Sequence, residues 1–191
     1  MAASPADPAY DLDNMTPQDL AYFVAFILFF DAIVLGSLSY YYQKLQYRYL
    51  KFVALAMIAE MVSQVLLISW GAMPSVTTLM VAGGLAKVAF AVLMLAGIAH
   101  LVNLAVPFKL ILAMVMLFLA QLMATRIVDV ENTVLAWLLF ETAPIVLLSV
   151  GVYLIWVNRE SVGMYFLMVL LAAHIGLKVA MPFTLADSAV F

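Results

Sequence analysis

Apolar residues run in six long stretches along the chain, broken only by short polar turns, and that pattern leaves few folds open. Of the 191 residues, 68% are hydrophobic and 10% charged, where a soluble domain carries roughly 45–50% and about 25%. Water cannot face so much apolar surface, whereas a bilayer accepts it as solvent. The expected class is therefore all-α: a polytopic integral membrane protein, a bundle of six transmembrane helices with short loops. The chain has no cysteine, which excludes disulfides, thiolate metal sites and cysteine nucleophiles together. A net charge of −3 lacks the basic excess that nucleic acid demands, so the lipid bilayer is an expected partner and nucleic acid is not.

Residues 1–16 read as an acidic polar N-terminal tail with no basic stretch ahead of the first apolar run, so a cleaved signal peptide is not expected. Thr16-Pro17-Gln18-Asp19 then supplies a helix start, with a capping hydroxyl, proline at the first helical position and an acid at the third. The expected spans cover 17–41, 50–71, 77–103, 108–125, 133–156 and 162–183, forming one transmembrane domain over 17–183 and leaving 184–191 as a short C-terminal tail. Pro107 would break a continuing helix and so separates the third and fourth spans. At 1.5 Å per residue, about 20 residues cross the apolar layer of roughly 30 Å, so each segment is long enough.

Orientation follows from the short loops. Placing the loop after the first span in the cytoplasm puts Lys44, Arg48, Lys51, Lys109 and Arg159 inside and leaves Arg126 outside. Both termini then face away from the cytoplasm, across what is expected to be a cytoplasmic (inner) membrane.

Charges remain inside the apolar runs. Asp31, Glu60, Lys87, Glu141, His174 and Lys178 fall near the middle or toward the outer side of their spans, so they are expected to form one buried polar layer. A charge at a helix centre costs roughly 2.5–3.5 kcal/mol on insertion scales, so these groups must face inward and pair or neutralise. Glu60 and Gln64, and His174 and Lys178, are four apart and share helical faces. Gly83 puts a small residue one turn from Lys87, where another backbone can approach. Pro144 breaks the fifth span and frees the carbonyl of Phe140 beside Glu141, a common way to line a polar cavity.

Other features carry less. His100 and His174 lie at depths differing by roughly 18 Å, too far apart to ligate one bis-histidine haem, so no cofactor is expected, although single ligation of a pigment or metal by either stays open. Met114, Met116 and Met123 have no second ligand type beside them and read as lipid-facing or gap-filling residues rather than a metal site. Tyr40 to Lys51, rich in tyrosine and basic residues, reads first as an interfacial anchor. The same stretch resembles the helix connections of multi-helix input domains in bacterial signalling enzymes, which implies a membrane sensor module acting through a partner.

Three function classes follow. The charged layer and the broken fifth span point to a small transporter or channel handling protons or a small ion or solute, with Glu60 and Glu141 as titrating carboxylates and Lys87 and Lys178 tuning them. Short loops and small size point equally to a non-catalytic subunit of a larger membrane complex, its charges being static interhelical pairs. A sensor module is the third. Further copies of the chain or other membrane subunits are expected partners. An enzyme is not expected, because no nucleophile elbow, zincin motif or phosphate loop is present.

Overall fold

The computed structural model describes residues 47–72, 77–127, 133–158 and 162–188, together with Ile33, Ser37 and Tyr40. The expected first span, with Asp31, otherwise lies outside the described residues, as does the 1–16 tail. Within the described residues the chain is all-helical: α1 (Arg48–Ala72), α2 (Thr77–Leu101), α3 (Phe108–Ile127), α4 (Thr133–Val157) and α5 (Val162–Ser188).

By length and composition, two stretches among the described residues are long and apolar enough to cross a membrane, Arg48–Leu67 and Thr78–Leu101. The apolar stretches of the other helices, Phe108–Ala124, Glu141–Val157 and Met164–Gly176, are shorter, below the roughly 17–25 residues of a full crossing or at its lower limit. The expected all-helical content is thus shown among the described residues, and a bundle of six membrane spans is not.

The ends of the helices have local causes. The Leu50 N–H donates to the Tyr47 carbonyl at 3.1 Å, so α1 begins at Arg48, two residues ahead of the expected Leu50. Helix α2 stops at Leu101 rather than Asn103 because Asn103 adopts a left-handed backbone (φ 54°). The Leu104 N–H donates to the Ala99 carbonyl (2.8 Å) and the Asn103 N–H to the His100 carbonyl (3.3 Å). This paired closure satisfies carbonyls that would otherwise be orphaned at a helix end, and asparagine tolerates the left-handed position best after glycine. Helix α5 runs on through Ser188, past the expected end of the last span at residue 183. Thr184-Leu185-Ala186-Asp187 contains neither glycine nor proline, and nothing in it stops a helix already under way.

Helix α1 packs along α2, α2 also packs on α4, and α4 in turn contacts α3 and α5. Register can be read from close contacts. Ser63 meets Gly83, and Tyr49 meets Gly97, so residue numbers run in opposite senses along α1 and α2. Gly151 meets Ile98 and Glu141 meets Lys87, so α2 and α4 are parallel. Phe90 meets His174 and Glu141 meets Lys178, which sets α5 antiparallel to both.

The main apolar core lies between the midpoints of the helices and the Phe52–His100 end. Ala56, Phe90, Met94, Leu95, Ile98, Leu147, Leu148 and Ile155 are among its buried members. A smaller cluster joins Val88, Phe118 and Ala143 across α2, α3 and α4. Large apolar side chains also cover the outside: Leu55, Ile58, Val62 and Val65 form an exposed stripe on α1, and Phe108, Leu112, Met116 and Met123 another on α3. Soluble monomers rarely present such continuous apolar faces, so this exterior adds support for membrane association.

Candidate functional site: a buried charged layer

Glu141 is the centre of the layer. It lies on α4 three residues before Pro144, is 2% exposed, and has an ammonium on each oxygen. Lys87 of α2 donates to its Oε1, and Lys178 of α5 donates to its Oε2 at 3.1 Å. Both lysines are partly buried. Charge-assisted bonds of this kind are about twice as strong as neutral ones, and here two of them tie three helices through one carboxylate. Pro144 is itself buried, and its missing N–H leaves the Phe140 carbonyl without its helical donor next to the site.

Glu60 approaches from α1. The α1–α2 register places it level with Ala86 and Lys87, and it is 7% exposed. Gln64, one turn along the same helix, donates to Glu60 Oε1 at 3.4 Å, a long bond, while Oε2 is buried and has no hydrogen-bond partner among the described residues. The two carboxylates of the layer are therefore unequally held.

His174 lies one turn before Lys178 on α5 and packs edge-on against Phe90 of α2, the ring centroids 5.7 Å apart and the planes at 61°. Its Nε2 is buried without a hydrogen-bond partner among the described residues. The charges of Glu60, Glu141, Lys87 and Lys178 all act on this imidazole, and Glu60 also acts on Lys178, so the five groups form one electrostatic unit. Its described members comprise two lysines, two glutamates and a histidine; with the imidazole neutral, their charges cancel.

Four helices thus bring Glu60, Lys87, Glu141, His174 and Lys178 to one level. Asp31, expected beside them, lies outside the described residues. The structure adds two groups that were not singled out for the layer. Gln121 of α3 has a buried Oε1 without a hydrogen-bond partner among the described residues, and the cluster of Phe118 with Ala143 brings it near the level of Glu141. Ser63 donates to the Gly83 carbonyl at 2.9 Å from a buried position and fixes α1 against α2 beside Glu60. Its spacing from Glu60, one turn on the same face, was the signal available in the sequence. Gly83 lets the Leu67 side chain pack directly on the α2 backbone, since a Cβ there would lie 2.8 Å from it.

His100 is remote from the layer. It stacks on Phe52 with centroids 5.0 Å apart and planes at 15°, a packing arrangement near the end of α2. Among the described residues no group of three or more His, Cys, Asp or Glu side chains is arranged to hold a metal ion. No family model matches the chain, and no curated protein or solved structure matches it.

Proposed function

We propose that the chain is an integral membrane protein with six spans, the expected helix over 17–41 preceding the five described, and that it is a small transporter or channel handling protons or a small ion or solute through the charged layer. The observation that carries this reading is the incomplete half of the layer. Among the described residues, a buried carboxylate oxygen and a buried imidazole nitrogen lack partners at mid-height in a bundle of apolar helices. Unsatisfied buried polar atoms cost on the order of 1–3 kcal/mol each, and charged ones more, so a purely structural layer gains nothing by keeping them. Ionisable groups retained at such depth are characteristic of ion and proton pathways. The basic loops favour a cytoplasmic membrane with both termini on its outer side.

The test is flux. Purified protein in liposomes should move protons or a small ion down an imposed gradient, and Glu60→Gln and Lys87→Met should each lower that flux per folded molecule. Loss of folded yield with unchanged flux per molecule would refute the pathway.

One observation favours a second reading, a non-catalytic subunit of a larger membrane complex. Glu141 is saturated by two lysines, which is what a static pair that fixes helix register requires. Native mass after gentle extraction separates the two. A monomer or homo-oligomer supports the autonomous transporter, and stoichiometric foreign chains support the subunit.

A further inference from the structure

We propose that the outward face of α1 is a binding site for an anionic phospholipid, Arg48 and Lys51 taking the headgroup phosphate and the apolar side chains beyond them taking an acyl chain. The inference rests on the membrane reading above and is independent of transport.

The exposed side chains described on α1 are Arg48, Lys51, Leu55, Ile58, Val62 and Val65. At 3.6 residues per turn they all fall within one arc of about 100°. The side of the helix turned to the bundle carries Ala56, Glu60 and Ser63, all buried, and α1 packs along α2. The outward face is therefore cationic for its first turn and apolar beyond it, the two parts of a phospholipid in order. Helix α3 repeats the arrangement, with exposed Lys109 one turn ahead of exposed Leu112 and Met116.

The cations lie at the height a headgroup would occupy. Lys51 and Arg48 are about 14 and 18 Å of helix rise from Glu60 in the charged layer, and half the apolar thickness of a bilayer is roughly 15 Å. Aromatic side chains mark the same boundary independently. Tyr47, Phe108, Tyr153, Trp156, Tyr165 and Phe166 are all exposed, and each lies within about 6 Å of helix rise of the end that α1, α3, α4 or α5 has on this side. Exposed aromatics and basic residues together at one level are the signature of a membrane–water interface.

Charge selects the occupant. Arg48, Lys51 and Lys109 are exposed, and none of them forms an ion pair with a described residue. The described parts of this end contain no acidic residue, and Glu160 of the last connection lies outside the described residues. A second copy seated stripe against stripe about a two-fold axis along the helices would bring Arg48 and Lys51 against their own equivalents, like charge on like charge. A zwitterionic headgroup carries a cation of its own into the site. An anionic phospholipid meets both cations with net negative charge, while their stems, which lie readily along apolar surface, join the chain-binding stripe.

Because the chain has no cysteine, a fluorophore on Leu55→Cys reports the stripe one turn from Lys51. The full chain is placed in phosphatidylcholine bilayers containing brominated phosphatidylglycerol or brominated phosphatidylcholine, whose acyl chains quench on contact. Phosphatidylglycerol should reach half-maximal quenching at the lower mole fraction, by about fivefold for each cation, and the preference should shrink as salt rises. Arg48→Gln combined with Lys51→Gln should abolish the preference, and Arg48→Lys combined with Lys51→Arg should retain it. A fluorophore on Val65→Cys, about 15 Å further along α1, should show none. Equal quenching by the two lipids at Leu55, or a preference untouched by the double glutamine variant, would overturn the site and leave the membrane reading standing. Quenching at Met116→Cys without quenching at Leu55→Cys would show that protein covers the stripe, and would also overturn the site. Absence of quenching at both positions would refute the membrane reading as well.

Discussion

Replacing Glu141 with glutamine removes one negative charge and leaves its volume almost unchanged, so the variant isolates what that charge does. In the native layer two ammonium groups, partly buried on separate helices, share this one carboxylate. Each charge-assisted bond contributes about 1.5–3 kcal/mol, and breaking a buried pair by removing one partner typically costs 3–5 kcal/mol. The introduced amide can still accept from one lysine but presents N–H groups to the other, so the loss should fall below the sum of two bonds. Groups freed within a bilayer also find other partners, which lowers measured values further. The expected destabilisation is about 3 kcal/mol, a shift of roughly a hundredfold in the folded-to-unfolded ratio. Equilibrium unfolding in mixed micelles, followed by far-ultraviolet circular dichroism, reads it. Adding Lys87→Met to Glu141→Gln should recover part of the loss, because one of the two orphaned cations is then gone, and such non-additivity is the mark of direct contact. A loss under about 1 kcal/mol, the range of solvent-exposed pairs, would show that Glu141 is not the electrostatic centre described here.

Three further outcomes are expected. Ser63→Ala should cost about 1 kcal/mol, the net value of one hydrogen bond, in the same unfolding assay, and should leave flux per folded molecule unchanged. Gly97→Ala should destabilise by about 1–3 kcal/mol, since its Cβ would sit 3.1 Å from Val53 and 3.4 Å from the Tyr49 backbone; Gly176→Ala, with open space around it, should be neutral or gain up to about 1 kcal/mol. Because the chain has no cysteine, single cysteines at Ala105 and Asn132 can be labelled selectively in sealed vesicles, and six spans require opposite sides for the two. Labelling from the same side would refute that topology.

Helix positions were legible because apolar runs and breakers are local signals. Pro107 and Met73-Pro74 mark interruptions that any helix must respect, and α2 and α3 begin just after them. The left-handed Asn103 was less visible, since asparagine only permits that conformation and the closing bonds to Ala99 and His100 choose it. Helix α5 continues past Phe183 because a helix stops for want of bonds, not of hydrophobicity. In the layer, depth counting from helix centres put Glu60, Lys87, Glu141, His174 and Lys178 at similar heights, a one-dimensional property. Which lysine meets which glutamate depends on helix neighbours and rotation, neither of which is encoded in spacing. Nothing local says that Glu141 takes both lysines and that Glu60 takes none.

That inequality is the most informative feature of the molecule. If the layer served only to lock helices, the economical arrangement would pair each lysine with its own carboxylate, satisfying four charges in two bonds and leaving no oxygen unmet. Instead both cations converge on α4, beside the proline that loosens its backbone, and the carboxylate on α1 is left with one weak amide bond. Concentrating the pairing on Glu141 gives α2, α4 and α5 a rigid electrostatic joint. It also keeps Glu60 in the field of the same lysines without a direct bond to either. A carboxylate held that way can change protonation state without dismantling the joint, which is the physical requirement for moving a proton through a bundle that must stay folded.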